Sequence, residues 1–398
     1  ITPDKNNNWI NLAEDSDWDS LIPVTLPKLS GRNSTDVNAI FELSSYGTVS
    51  NRDEWVYDFN ESSLVKKINF YIDTYNHTRK NTIRPLPTNW YNNFDSIIKW
   101  TQDVRQYFEK NLELNFDNSV VVTSLYRPFV KKQYYYSKWL NWSLYNVPKI
   151  FGIDNKYENI CIGFIGKDTE KPFSVLAHNI LVGLNFLSPA SGCQSFPMYR
   201  YDANGNRQEN ITDWALEQFR QQYDNQQITK EHIFYYVYAV LHAPAYRSAY
   251  AINLKRDFPR IPFYADFAKY AAAGKQLADL HIGYEKNAPY PLPRVDKQVG
   301  KDFVPKAKLK ADKTNHCIEI DEITKLDGVP EAAWDYKLGN RSALEWVLDQ
   351  YKPSKPSDPT IAAQFNTYQF SDYKEQVIDL LGKVCRVSVE TMQIIETL

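Results

Sequence analysis

Apolar positions along this chain change period several times, and each change marks an element. After Asn60, the residues Leu64, Ile68, Tyr71, Ile72 and Tyr75 recur at helical spacing, with Asn60 placed to cap the first turn. Ile97, Ile98, Val104, Phe108 and Leu112 repeat the pattern and predict a second helix starting at Asp95. Before these, the stretches 38–43 and 54–59 read as two strands around a Gly47 turn. From about 118 to 205 the pattern turns β-like. Val120–Val122 and Ile160–Ile165 are short apolar runs suited to buried strands, Tyr134–Tyr136 is also extended, and Asn204-Gly205 signals a turn. Residues 212–282 return to helical spacing. Thr212 or Asp213 and then Thr229 are placed as caps, Pro244 fits a first turn, Pro259 and Pro262 end that helix, and a fourth runs to about His281.

Beyond this lies a tract with Pro289, Pro291, Pro293 and Pro305. Alternation over Lys306–Lys310 and His316–Ile320 around Asp312–Asn315 predicts a hairpin, and helices over 341–350 and about 371–394 close the chain. The pattern divides the sequence into a polar linking segment (1–37), an N-terminal hairpin with helices (38–117), a β-rich region (118–210), a helical region (211–285), a Pro-rich linker (286–305) and a C-terminal hairpin with helices (306–398). The fold class expected is α+β: a mixed β region with attached helices, a helical bundle, and a small C-terminal hairpin-plus-helix unit.

Composition narrows the function. With 43% hydrophobic residues the 398-residue chain is globular and long enough for two or three cores. Its 28 Tyr and 10 Trp supply core filler and amphipathic contact surface alike. A net charge of −2 excludes an indiscriminate polycation but not a nucleic-acid partner, since what matters is whether charge segregates onto one face. Cys161, Cys193, Cys317 and Cys385 are far apart and form no C-x-x-C pair, which argues against zinc. Without a visible signal peptide, reduced thiols in a cytoplasm are expected, and no apolar run approaches a membrane span. Ile1 in place of Met fits a fragment of a longer polypeptide or a processed chain.

The sequence holds no G-x-x-x-x-G-K-[ST] phosphate loop, no G-x-G-x-x-G turn, no Asn-Pro-Pro-aromatic tetrad and no Ser-nucleophile elbow. Asp335-Tyr336-Lys337 and Asp372-Tyr373-Lys374 have the spacing of a nuclease metal site, but both lie at predicted helices without a clear upstream acidic partner. Positive signals are of another kind. Asn51, Arg52 and Asp53 fall at the tip of the first predicted hairpin. Asn and Arg there can contact adenine or guanine edges, and a salt-bridged turn is the equal alternative. Tyr126-Arg127-Pro128-Phe129-Val130-Lys131-Lys132 interleaves cations and aromatics, which suits a phosphate-facing surface or a packed strand with snorkelling lysines. The block from Tyr238 through Tyr250 to Pro262 reads mainly as scaffold, with Arg247, Lys255, Arg256 and Arg260 as phosphate candidates.

These same blocks resemble the C-terminal specificity region of type ISP restriction-modification enzymes. The similarity is carried by Gly47–Phe59, by Tyr126-Arg127-Pro128-Phe129, by Tyr238-Ala239-Val240-Leu241-His242 with Lys255-Arg256-Asp257 behind it, and by Gly339-Asn340-Arg341-Ser342 before Trp346. Four such matches in order cover about residues 38 to 390. The resemblance implies a double-stranded DNA target recognition domain that positions DNA for an adenine-N6 methyltransferase domain of the parent polypeptide. Nuclease, motor and methyltransferase motifs are missing, so this chain is expected to be non-catalytic and free of cofactors. S-adenosylmethionine, ATP and Mg are expected only for the missing domains. Within that reading, the base-readout candidates are Asn51, Arg52, Gln194 and Arg200. The phosphate candidates are Arg127, Lys131 and Lys132, then Arg247, Lys255, Arg256 and Arg260. The alternatives are a protein-docking module of the same system without base readout, and a stand-alone nuclease.

Overall fold

The structure, a computed structural model, describes residues 17–25, 38–94, 96–166, 169, 171–190, 192–300 and 302–398. In chain order the first elements are β1 (Ile22–Pro23), β2 (Ser45–Tyr46), α1 (Asp53–Val56), β3 (Tyr57–Asp58), α2 (Glu61–Asn81) and α3 (Gln102–Glu109). The β-like stretch supplies β4 (Val121–Arg127), β5 (Val130–Tyr135), α4 (Pro148–Phe151), β6 (Cys161–Phe164), β7 (Val175–His178), β8 (Leu181–Val182), β9 (Gln194–Pro197), β10 (Tyr199–Tyr201) and β11 (Arg207–Glu209). Then come α5 (Asp213–Tyr223), α6 (Lys230–Val240), α7 (Pro244–Ala249), α8 (Asn253–Arg256), β12 (Arg260–Ile261) and α9 (Phe267–Ile282). The C-terminal part holds β13 (Arg294–Asp296), β14 (Ala307–Asp312), β15 (Cys317–Asp321), β16 (Thr324–Leu326), α10 (Glu331–Asp335), β17 (Lys337–Leu338), β18 (Arg341–Ser342), α11 (Ala343–Tyr351) and α12 (Lys374–Glu396). The architecture is α+β, as expected.

Two four-stranded sheets dominate the first half. One has the order β2-β9-β6-β7, antiparallel throughout; the other has the order β3-β5-β4-β8, with β8 parallel to β4. A third sheet, β13-β16-β15-β14, belongs to the C-terminal unit. Three apolar clusters hold these parts together. One joins α5, α6 and α9 to the first sheet, one sits under α10–α12, and one packs α2 and α3 on β3–β5. Each fully buried large side chain, such as Trp55 or Trp346, contributes roughly 2–3 kcal/mol through lost apolar exposure. The tightest contact is between α6 and α9. A Cβ on Gly274 would fall inside the Tyr235 carbonyl, so only glycine allows that approach.

Caps appear where local chemistry dictates them. The Asn60 side chain accepts from Ser63 N–H, Thr212 from Ala215 N–H, and Thr229 forms a capping box with His232. The predicted 306–320 hairpin is β14–β15, with Asp312 opposite Cys317.

Several expectations fail for tertiary reasons. The stretches 38–43 and 54–59 do not pair around Gly47. Residue 45 pairs with Ser195, Asp53–Val56 form one helical turn, and Tyr57 pairs with Tyr134. The second helix begins at Gln102, and Asp95 lies outside the described residues. Within the presumed linking segment, Trp18, Ile22 and Val24 are buried and β1 pairs with β12. The Pro-rich tract supplies β13, an edge strand antiparallel to β16.

Candidate functional site

The segment Ser50–Asp58 holds only the single-turn α1 and the two-residue β3, and groups from four directions fix it. Arg52 turns inward: its Nη2 donates to both Asp103 carboxylate oxygens at 2.6 and 2.7 Å and to Thr101 Oγ1, which ties the segment to the start of α3. From α2, Lys67 Nζ donates to the carbonyls of Glu54 (2.8 Å) and Tyr57 (2.7 Å) and pairs with Asp58 at 2.8 Å. Burial holds the Lys67 amine below its usual range, against the opposing pull of Asp58. From the C-terminal unit, Ser357 and Asp358 donate backbone N–H groups to Glu54 at 2.9 and 2.8 Å. Trp55 Nε1 donates to Asp358 Oδ2 at 2.8 Å. From β4, the Tyr126 hydroxyl donates to Asp53 at 3.3 Å.

This frame lines a cleft of about 870 Å³ whose walls include Ser50–Trp55, Tyr91, Lys99, Trp100, Arg105, Tyr126, Arg127, Gly183–Asn185 and Ser357–Pro359. Asn51 is exposed at its rim with φ 56°, a left-handed conformation that Asn tolerates better than most residues. Arg127 and Lys132 both face the Tyr126 ring, at 4.3 and 4.2 Å from its centroid, and Lys132 also lies 4.6 Å from that of Phe59. Arg105 stands 4.5 Å from the Tyr91 ring centroid. Burial, with Arg127 and Lys67 nearby, pushes the Lys132 amine down to about 8. The carboxylates are occupied by internal donors: Asp53 takes the hydroxyls of Ser50 and Tyr126, and Asp358 caps the N–H groups of Thr360 and Ile361. Among the described residues, Lys99, Arg105, Arg127 and Lys132 have no such ion-pair partner. Cations therefore outweigh anions as the polar groups still open to an incoming partner.

The chain matches the family model described as the Type ISP C-terminal specificity domain over residues 39–380. It belongs to that family. No curated protein matches it. Among solved structures, one described as the DrdV–DNA complex is similar over 100% of this chain and 40% of its own, with 43% identity and a TM-score of 0.94. A nuclease-deletion mutant of the Type ISP enzyme LlaGI with a DNA substrate mimic shares 27% identity, covers 100% of this chain and 30% of its own, and gives a TM-score of 0.81. The ATP-dependent Type ISP enzyme LlaBIII bound to DNA shares 26% identity, covers 100% and 25%, and gives 0.83. The chain thus spans less than half the length of each.

For a Type ISP specificity domain, the candidates fall into three groups. Asn51, Arg52 and Arg127 line the cleft and Lys132 adjoins it through Tyr126, but Arg52 is only 1% exposed and faces Asp103. Gln194 is buried in β9, accepting from Ser44 Oγ at 3.4 Å, and Arg200 in β10 pairs with Glu42 at 2.6 Å. Lys131 is held by Glu285 and lies near the Tyr284 ring. The third group does not line the cleft. Arg247 donates to the Leu241 carbonyl at 2.7 Å, and burial lowers its guanidinium below the usual range. Arg260 pairs with Asp19 and Asp257, Arg256 is half-buried, and Lys255 is exposed. Sequence reading missed Lys99, Arg105 and the Ser357–Pro359 wall. Arg105 sat inside a predicted helix without distinction, and residue 357 meets residue 54 only through the tertiary fold. Among the described residues no group of three or more His, Cys, Asp or Glu side chains is gathered to hold a metal.

Proposed function

We propose that this chain reads a target sequence in double-stranded DNA and positions the duplex for an adenine-N6 methyltransferase domain elsewhere in its parent polypeptide. The observation that carries this reading is the whole-length match to structures described as DNA complexes, combined with a cleft in which Lys99, Arg105 and Arg127 keep no ion pair among the described residues. Arg127 and Lys132 take backbone phosphates, with Tyr126 fixing the height of both charges. Asn51 is the base-reading candidate on the rim, because an amide offers a donor and an acceptor together, the pair that matches adenine N7 and N6. Arg52 acts through the frame: its ion pair sets where Asn51 stands. Flipping a base costs a few kcal/mol, which contacts of this kind help to offset.

Affinity for a mixed-sequence duplex, followed by fluorescence anisotropy across a salt series, tests the phosphate assignment. The double variant Arg127→Ala/Lys132→Ala is expected to weaken binding to all sequences alike and to flatten the salt dependence by about one to two in slope. Duplex binding identical in wild type and variant refutes the assignment, and absence of binding by the wild-type chain refutes the DNA-reading function.

A further inference from the structure

The loop between α11 and α12 joins the cleft although it lies about three hundred residues from Asn51 in sequence. Both ends of its first half are fastened. The Tyr368 hydroxyl donates to the Tyr351 carbonyl at 2.6 Å, and Glu54 takes Ser357 N–H and Oγ at 2.9 and 2.8 Å and Asp358 N–H at 2.8 Å. Between them stand Pro353 and Pro356, and Pro359 follows directly, each with a restricted φ, so the segment loses little further entropy on binding. Lys352 and Lys355 are exposed on this stretch, and neither is ion-paired among the described residues. Burial opposes the Glu54 charge, but its donors on Ser357 and Asp358 outweigh that and hold the carboxyl below its usual range, so Glu54 remains an anion occupied by the loop.

We infer that segment 352–359 is a second phosphate-binding element of the duplex track, with Lys352 and Lys355 as its contacts and Glu54 as the positioning residue that latches it to the reading segment. The inference rests on the DNA-reading function proposed above. It adds these two lysines from the loop to Arg127 and Lys132 from β4 and β5. A carboxylate in the reading segment then serves to hold a cationic loop in register with the rim.

The test uses the full chain and a duplex, with affinity measured across salt. Lys352→Gln/Lys355→Gln is expected to make log K against log salt shallower by roughly 2, from about 0.9 per phosphate contact, with an unchanged melting temperature. Glu54→Ala is expected to weaken binding, and in that background the two lysine substitutions should cost clearly less than in wild type. If Glu54→Ala fails to fold, Glu54→Gln, which loses one acceptor, is expected to give the same effect in smaller measure. An unchanged slope in the lysine variant, with wild type still binding salt-dependently, overturns the loop contact. A full-sized lysine effect in the Glu54 variant overturns the latch. No duplex binding by wild type overturns the DNA-reading function itself, a result readily told from the other two.

Discussion

Lys132 lies between the Tyr126 and Phe59 rings, 4.2 and 4.6 Å from their centroids, where burial and the neighbouring Arg127 and Lys67 bring its amine to about 8. Its ordinary value is 10.5, so the unfolded chain holds this proton through a range in which the folded chain has released it. Folding is therefore penalised below pH 8, and Lys132 lets stability rise with pH between about 8 and 10.5. A phosphate beside the amine restores its proton. Duplex affinity is expected to fall as pH is raised from about 7 to 9, and Lys132→Arg, which keeps its charge throughout, to flatten that fall. Matching pH profiles for the two proteins would remove Lys132 from the phosphate contacts. The sequence showed that Lys132 sits among aromatics. It could not show that Phe59 and Tyr126 flank it, because that pairing depends on β3 lying beside β5.

At the scale of elements, the reading segment is stabilised more by partners than by its own hydrogen bonds. Breaking a buried ion pair on one side costs about 3–5 kcal/mol, so Asp103→Ala is expected to lower stability by several kcal/mol and to loosen Asn51. The check is urea unfolding of this variant beside Arg52→Met/Asp103→Leu. The double replacement should recover part of the loss, because no lone charge stays buried. If the single variant unfolds like wild type, the frame argument fails. Helices with a cap and a wide apolar face were legible from sequence, as Asn60 with Leu64–Tyr75 and Thr229 with α6 illustrate. The first hairpin was not. Its apolar residues pair with strands more than seventy residues away, and Arg52, chosen from sequence as a reader, is spent on Asp103. Residue type told which side chains can contact DNA, but only packing decides which remain free to do so.

Across the whole molecule, one buried imidazole links α9 to α12 and another braces the β2-β9-β6-β7 sheet. His178 bonds Ile180 O and Ser195 Oγ, and His281 of α9 bonds the Tyr238 hydroxyl and Thr391 of α12. Burial lowers them from 6.5 to about 4 and about 3. Their contribution to stability is complete above pH 6.5 and is lost as pH falls toward 4, since the unfolded chain takes up protons first. Denaturant midpoints should accordingly drop between pH 7 and 5, by a smaller amount in His178→Gln; equal drops in both proteins would refute the assignment. The His281–Thr391 bond fastens α12 to α9, while the 352–359 loop is fastened to the reading segment through Glu54. The central claim is that this arrangement reads DNA sequence. Its most direct test is selection from a randomised duplex pool by the full chain, with wild type and Asn51→Gly compared at two salt concentrations. Glycine preserves the left-handed backbone while removing the amide. Wild type should enrich one short asymmetric motif, and the Gly variant should lose discrimination at one position, by about 1–3 kcal/mol, while keeping the others. Salt-sensitive retention of every sequence alike, in both proteins, would contradict it.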